Sequence, residues 1–536
     1  MSYTTDTAKL FQSDAQHEKA AIRAARAELL ADRGAPIKLG SKPLGVVVKH
    51  RSDAEPEAWV AESGFVVRRV GLETSRRRRV NNIASWDELT PPSPFQTGNT
   101  KQIYRGHGGP VTSLDFYTTR SEQKHELLIS GSWDKSFRVW DTQTKTLLST
   151  TVGHIDFVKT LLVIPLLGIL VTGSSDKDIR IWDLSPLDSL DIPTLTASSA
   201  TSTSAPSDDA SPNVGQPQAP PPQQGAAPPP AVSLRPLPCL LALKAHTRPI
   251  EQLAFLPLSH ELPAGLSEDE AEAHPREWSG RIALLSADSM GALKVWELWR
   301  DEEGKLKGEL RREVRHHELG IHDMVVGPQG ELWTASTDNS ALLSQLSLTS
   351  ASVPPTPLLR LPHPAQLRSL LPLSLSPAAV THSLLTGAPP PAFLLTGASD
   401  ELIRAFDLSL AALDPSPTRE AQRTWRGAPL REGSVPEGCV REVEGHTHEV
   451  VQLRAYRSRS DGGALWVLSA GLDGTLRRWR WDELRSEKRD RIVLIPVEGG
   501  TGAARGKEDE GDKADKGESL LTEEEERELA ELMGDD

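Results

Sequence analysis

The chain has 536 residues, 25% of them charged, and a formal net charge of −14; that length holds a large core plus extensions, and the negative balance argues against general nucleic-acid binding. Its two cysteines, Cys239 and Cys439, cannot build a metal site, and with no N-x-[ST] sequon and no apolar N-terminal run they point to a reducing compartment, cytoplasmic and/or nuclear. The longest apolar stretch, Thr160–Val171, is broken by Pro165 and Gly168 and is too short to span a membrane.

From Ser13 to Asp32 the chain reads as a helix: Ser13 and Gln16 make a capping box, and Gly34 with Pro36 ends the run. Phe11, Ala15, Ile22, Ala25 and Leu29 form an apolar stripe. Asp6, Asp14, Glu18 and Glu28 are unlike an organelle transit peptide, which avoids acids. Residues 1–41 are therefore expected to be a helical extension, packed on the side of the main domain, left solvated, or offered to a partner. Short strand-like runs follow at Val46–Val48, Trp59–Glu62 and Phe65–Val70. Arg76, Arg77, Arg78 and Arg79 then form a basic run that continues into a proline-containing loop. Three readings of it stay open: a solvated loop, a nuclear-import signal, or a patch for an acidic partner.

The next stretch organises the chain. LISGSWDKSFRVWD (128–141) is followed about forty residues later by LVTGSSDKDIRIWDL (170–184), and each is preceded by a Gly-His pair, Gly106-His107 and Gly153-His154. In the first copy Leu128–Ser130 and Phe137–Val139 are β-rich runs around a tight Trp133-Asp134-Lys135 turn, which predicts the inner strands of a hairpin. Trp140 falls on the second of these strands, where its indole N–H needs an acceptor.

This pattern resembles the WD40-repeat family. The resemblance implies an all-β, seven-bladed β-propeller over roughly 42–498, with N- and C-terminal helical extensions and a long disordered insertion. It also implies a hydrogen-bonded tetrad of turn Asp, loop His, strand Ser or Thr, and Trp. Carried over residue by residue, this gives Asp134, His107, Ser130 and Trp140 in one blade, and Asp176, His154, Thr172 and Trp182 in the next. The last blade supplies His446, Ser469, Asp473 and Trp479. The first blade departs from the pattern: aligning 60–72 with 172–184 puts Gly64 at the turn Asp and Val70 at the Trp.

Residues 185–237, rich in Ser, Ala, Pro and Gln, are expected to be a disordered insertion, since nothing there offsets the entropy of ordering. Subtracting it and a second charged insertion near 261–279 leaves one blade, not two, between Trp182 and Trp296. By the same alignment blade four has His246, Ser286 and Trp296 but Met290 at the turn Asp, so its tetrad is expected to be incomplete. Blade five has His317, Thr334 and Asp338 with Ser344 in place of Trp; blade six has His363, Thr396 and Asp400 with Phe406 in that place. Four residues after each His stands an apolar residue (Val111, Val158, Ile250, Ile321, Leu367, Val450), expected to open the innermost strand.

Candidate chemistry is thin. His317-Glu318…His322 has one residue too many for a helical zinc-protease motif, and Gly506-Lys507 lacks the rest of a phosphate loop. Neither a catalytic site nor a cofactor is expected. The resemblance favours a non-enzymatic scaffold that docks other proteins on the propeller faces within an intracellular multiprotein complex, with nucleic acid not a direct ligand. A substrate receptor in ubiquitin-dependent turnover is an alternative, although the Trp-Asp-x-Arg ending of one receptor class is missing: Trp140-Asp141 is followed by Thr142-Gln143, and Trp182-Asp183 by Leu184-Ser185. RNA processing or ribosome assembly is another. Residues 499–536 are expected to be a charged tail, with a short acidic helix from Thr522 capped by Thr522 and Glu525. Leu529, Leu532 and Met533 gather on one side of that helix, facing the propeller, a partner's groove, or solvent.

Overall fold

Each repeat folds as a four-stranded antiparallel meander, and the described residues build seven such sheets. The structure, a computed structural model, describes residues 14–49, 55–73, 100–189, 235–244, 246–260, 277–409, 436 and 438–485. Blade 1 holds β2 (Pro43–Lys49), β3 (Glu57–Glu62), β4 (Val66–Gly71) and β5 (Thr100–Arg105); blade 2 holds β6 (Val111–Thr118), β7 (Glu126–Ser132), β8 (Ser136–Asp141) and β9 (Leu147–Val152). Blade 3 holds β10 (Val158–Ile164), β11 (Ile169–Ser174), β12 (Ile179–Asp183) and β13 (Cys239–Leu243); blade 4 holds β14 (Ile250–Ser259), β15 (Trp278–Asp288), β16 (Leu293–Arg300) and β17 (Leu306–Val314). Blade 5 holds β18 (Ile321–Val326), β19 (Glu331–Ser336), β20 (Ser340–Gln345) and β21 (Thr356–Pro362); blade 6 holds β22 (Leu367–Pro372), β23 (Phe393–Ala398), β24 (Leu402–Asp407) and β25 (Cys439–Glu444). Blade 7 holds β26 (Val450–Arg457), β27 (Leu465–Gly471), β28 (Thr475–Arg480) and, from the other end of the chain, β1 (Ile37–Lys38).

The first strands of consecutive blades neighbour one another in a closed circuit from β2 round to β26 and back to β2, so they line a central channel. The second strand of each blade lies between the adjoining sheets. Such strands lose the polar alternation of a half-exposed strand: β3 and β11 are buried along their whole length. Blades interlock through a small residue there. A Cβ on Gly131 would meet Val158 Cγ1 of the next blade at 3.0 Å, and one on Gly173 would meet Ile250 Cγ2 at 2.7 Å. The residue that opens each inner strand thus seats in the blade before it. All six apolar residues expected to open an inner strand do so.

The insertion after β12 is narrower than 185–237. Ser185–Asp188 is a short helix, α2, with Leu187 buried, and Leu237 is buried in the same cluster as Leu184. Apolar side chains at both edges of the polar segment reach the core. Residues 190–234 lie outside the described residues. Blade 3 then resumes with β13, so one blade separates Trp182 from Trp296.

Ring closure draws on the N-terminal extension. Helix α1 (Asp14–Leu29) leads through Leu30 and Ile37, both buried, into β1, whose Ile37 and Lys38 pair with Leu476 and Thr475 of β28. The domain boundary expected at 41/42 therefore falls inside the propeller. Two paired residues hold little on their own, and arginines supply the rest. Arg477 Nη1 donates to the Leu30 carbonyl at 2.8 Å and to that of Arg33, Arg478 Nε donates to the Ala35 carbonyl at 3.1 Å, and Arg26 donates to Glu444 at 2.8 Å and to Glu401. Gly34, at φ 66°, lies against the Trp479 ring, where a Cβ would stand 2.7 Å from the indole.

Candidate functional site

The end of the ring where each second strand turns into the third (β3 into β4 in blade 1, β7 into β8 in blade 2) and each inner strand begins we call the top face. Its turns are locked by side-chain chains. In blade 2, Trp140 Nε1 donates to Ser130 Oγ at 2.9 Å, Ser130 Oγ lies 2.8 Å from His107 Nε2, and His107 Nδ1 lies 2.8 Å from Asp134 Oδ2. Asp134 also accepts from the Gly108 and Ser136 amides. Blade 3 repeats this with Trp182, Thr172, His154 and Asp176, and blade 7 with Trp479, Ser469, His446 and Asp473. Burial would raise these aspartates, but His N–H and the turn amides outweigh it and hold Asp134, Asp176 and Asp473 well below the usual carboxylate range. Asp338 of blade 5 is held at about 2 by the same competition.

Two blades, 4 and 6, differ from the sequence expectation, and blade 1 lacks the tetrad as expected. In blade 4 the tetrad is complete: Asp288, not residue 290, lies 3.3 Å from His246 Nδ1 and accepts from the Met290 and Ala292 amides at 2.9 Å. The carboxylate has moved two residues back in the turn, and Met290 is 42% exposed. Blade 6 loses the His–Asp bond. Asp400 accepts from Arg404 at 2.6 Å, while His363 Nδ1 faces the Ala365 carbonyl. Blade 1 replaces the tetrad with Ser41 and Arg68 on Glu62, and the Gly64 amide donates to Ser41 Oγ at 2.9 Å. Blade 5 keeps His317, Thr334 and Asp338, with Ser344 opposite Leu332 where Trp140 stands opposite Leu128.

Sequence reasoning passed over one regularity. Two residues before each Trp position stands a basic residue: Arg68, Arg138, Arg180, Lys294, Arg404 and Arg477, with Leu342 the exception. The repeated Arg-x-Trp in FRVW and IRIW was the available signal.

The top face surrounds the channel mouth. Every inner strand carries a bulge after its first residue, since the register skips one position there in all seven sheets. A bulged residue leaves the ladder and is re-aimed. Going round the ring these residues are Leu44, Thr112, Lys159, Glu251, His322, Arg368 and Val451, and all line a cavity of about 460 Å³ at the channel mouth. Its chemistry is divided: Leu44, Thr112 and Val451 are uncharged, whereas Lys159 pairs with Glu251, and Arg368 lies 3.0 Å from Glu449 and 2.9 Å from His322 Nε2. Burial and the Arg368 charge depress His322 to about 4. Trp133 reaches the same cavity and stacks on Phe157 at 5.0 Å between centroids.

Arg76, Arg77, Arg78 and Arg79, and Leu529, Leu532 and Met533, lie outside the described residues. Among the described residues no three His, Cys, Asp or Glu side chains come together as a metal site, and no helix is long and apolar enough to cross a membrane.

Comparison with known proteins finds a match to a family model that falls mainly in blades 2 and 3. The family model for the WD domain, G-beta repeat, matches residues 98–141 and 145–183. An uncharacterized WD repeat-containing protein of Schizosaccharomyces pombe is 35% identical over 14% of this chain and 21% of its own length. The peroxisomal targeting signal 2 receptor of Mus musculus is 36% identical over 14% of this chain and 20% of its own. The periodic tryptophan protein 2 homolog of S. pombe is 50% identical over 9% and 5%. The chain thus spans a fifth or so of the first two relatives, over 76 and 73 residues. With seven blades closing the ring and two of them carrying the repeat's own sequence pattern, the chain is a seven-bladed β-propeller that contains WD40 repeats.

Proposed function

We propose that the protein is a non-enzymatic scaffold that assembles an intracellular multiprotein complex by docking other proteins on its top face. WD40 propellers generally mediate protein interactions. The observation that carries the reading here is the channel mouth, where one re-aimed residue from each blade meets in a single cavity bordered by an exposed aromatic pair. A rigid ring with one uncharged and one charged side suits recognition of a protruding segment rather than bond-making. The titratable groups nearest the mouth support this, because each is held by a structural partner: Lys159 by Glu251, Arg368 by Glu449, and Asp323 by the Leu370 amide at 3.0 Å.

The test is affinity purification of the tagged full chain as wild type, as Lys159→Ala with Glu449→Ala at the mouth, and as Leu384→Asp with Leu385→Asp on the opposite end. We expect at least one co-purifying protein to be lost only with the mouth variant while its melting curve stays put. Partners that survive the mouth variant unchanged refute the reading. The identity of the lost partner separates the finer assignments, a ubiquitin-pathway adaptor or an RNA-processing or ribosome-assembly factor.

A further inference from the structure

Four large apolar side chains come to the surface together at the top of the seam between blades 2 and 3. Val152 ends β9, Ile155 and Phe157 lie in the loop to β10, and Trp133 lies in the turn from β7 to β8; they are 68%, 74%, 38% and 41% exposed. A contiguous exposed apolar strip on a soluble surface marks an interaction site more often than chance. The strip is held in place. Trp133 and Phe157 stack with their planes 18° apart, the Ile155 amide donates to Asp176 at 3.0 Å, and Val152 is paired with Ser136 beside the Trp133 turn.

The charges around the strip are sorted by partner. The carboxylates are engaged: Asp134 and Asp176 by their histidines, Asp156 by the Phe157 amide at 2.8 Å, Asp178 by Arg180 and Lys244 at 3.8 Å each, and Glu251 by Lys159. Three cations are left over. Lys135 and Lys177 stand at turn tips with positive φ, the second in the turn whose Ser175 amide donates to the Phe157 carbonyl. With Arg248 in the loop before β14 they are exposed, and among the described residues none has a carboxylate within ion-pair distance. On a chain of net charge −14 this corner presents apolar surface rimmed by uncompensated positive charge.

We propose that this strip binds an acidic peptide segment of a partner protein, an apolar side chain of the segment covering Ile155 and Phe157 while its carboxylates meet Lys135, Lys177 and Arg248. The proposal rests on the scaffold reading and names the chemistry of what is docked. A single-stranded nucleic acid fits less well: Trp133 and Phe157 stack on each other instead of offering a series of open ring faces, and Val152 and Ile155 extend the strip with aliphatic surface that no base needs.

The full chain is panned against a random peptide display library, and an enriched peptide is measured by fluorescence anisotropy. We expect enriched sequences to combine Asp or Glu with Leu, Ile, Phe or Trp. Affinity should fall at least about tenfold in Ile155→Asp with Phe157→Ala, a loss typical of interface anchors. It should fall comparably in Lys135→Glu with Lys177→Glu, and several-fold when salt rises from about 0.05 to about 0.5 M. These residues are exposed, so melting curves should not move, and Leu384→Asp with Leu385→Asp should bind as wild type. No enrichment, enrichment of basic or uncharged peptides, binding indifferent to both strip variants, or displacement by an oligothymidylate would each overturn the proposal. Indifference to the strip variants combined with partner loss in the channel-mouth variant would sink this inference alone. Strip-dependent peptide binding with every partner retained by the channel-mouth variant would sink the scaffold reading at the mouth instead.

Discussion

Asp288 gives a sharp test of how a blade's turn is held. It is 1% exposed and accepts three N–H groups: His246 Nδ1, and the Met290 and Ala292 amides. In Asp288→Ala the Met290 amide can rehydrate at the turn tip, but His246 and the Ala292 amide are buried and lose their acceptor. Each orphaned buried donor costs about 1–3 kcal/mol, so roughly 3 kcal/mol in all is expected. In a domain of several hundred residues that corresponds to a drop of roughly 4 °C in Tm. Met290→Ala, at an exposed position, should stay within about 0.5 kcal/mol of wild type. The other blades provide the rescue. Blades 2, 3 and 5 place Ser at this position and Asp two residues on: Ser132 and Asp134, Ser174 and Asp176, Ser336 and Asp338, with the Ser Oγ accepting from the Asp amide. Asp288→Ser with Met290→Asp should therefore recover most of the stability that Asp288→Ala loses. Scanning calorimetry of the four proteins at one scan rate decides. Equal losses in Met290→Ala and Asp288→Ala, or a double variant no better than Asp288→Ala, would refute the reasoning.

Ser344→Trp alone should destabilise blade 5 by about 1–3 kcal/mol, because His316 stands where blades 2, 3 and 7 have the glycine on which the Trp ring rests; His316→Gly in the same chain should relieve most of the loss in a denaturant melt. Acid titration followed by intrinsic fluorescence should show stability lost as pH falls from about 4 toward 2, since Asp134, Asp176, Asp338 and Asp473 titrate lower folded than unfolded and their contribution is complete only above the unfolded value. Asp115 acts in the opposite direction: burial raises it to about 6 against the amides of Val163 and Phe116, so stability should fall as pH rises from about 4 to 6, a slope that Asp115→Asn should remove. Arg477→Met should lower the Tm more than Arg26→Ala, because Arg477 is buried on two carbonyls of the N-terminal arm whereas Arg26 makes partly exposed ion pairs of small worth; equal effects would mean that the arm is held by its charges.

The ring was legible wherever one residue type does one job in every blade. The His–apolar spacing gave the start of six inner strands, because the loop between them is fixed in length by the His at one end and the socket residue at the other. What was not legible is what several residues can do. The turn carboxylate of blade 4 comes from either of two positions, and only the geometry selects Asp288. The closing strand Ile37–Lys38 is too short to carry a period, and its partner in β28 lies at the far end of the sequence. The seven channel residues range from Leu44 to Arg368 and share no chemistry. They are identified by the bulge, although the count of five residues after the His would have marked six of them.

The departures from the tetrad point to what the fold requires. In all seven blades the amide of the top turn donates to the carbonyl just before the inner strand, from Ser63 to Lys42 in blade 1 through Leu472 to Glu449 in blade 7. That single bond is weak, and each blade reinforces it. Blades 2, 3, 4 and 7 use the Trp–hydroxyl–His–carboxylate chain. Where Val70 or Phe406 replaces Trp there is no indole donor, and the basic residue two positions earlier takes over: Arg68 ties Glu62, which also holds Ser41 of the entering loop, and Arg404 ties Asp400 and Glu442 beside His363. Blade 5, with Leu342 in place of the base, draws Arg360 from β21 onto the His316 carbonyl, 3.9 Å from Asp338. A buried Arg–carboxylate cluster is no more stable than apolar packing, but removing one member strands the other. Either device therefore fixes the loop rather than deepening the core. Five residues along that loop and strand stands the bulged residue that faces the channel. Locking the turn thus sets where Lys159, Glu251, His322 and Arg368 stand relative to one another, and the placing of charge on one side of the channel mouth follows from the hydrogen bonds behind it.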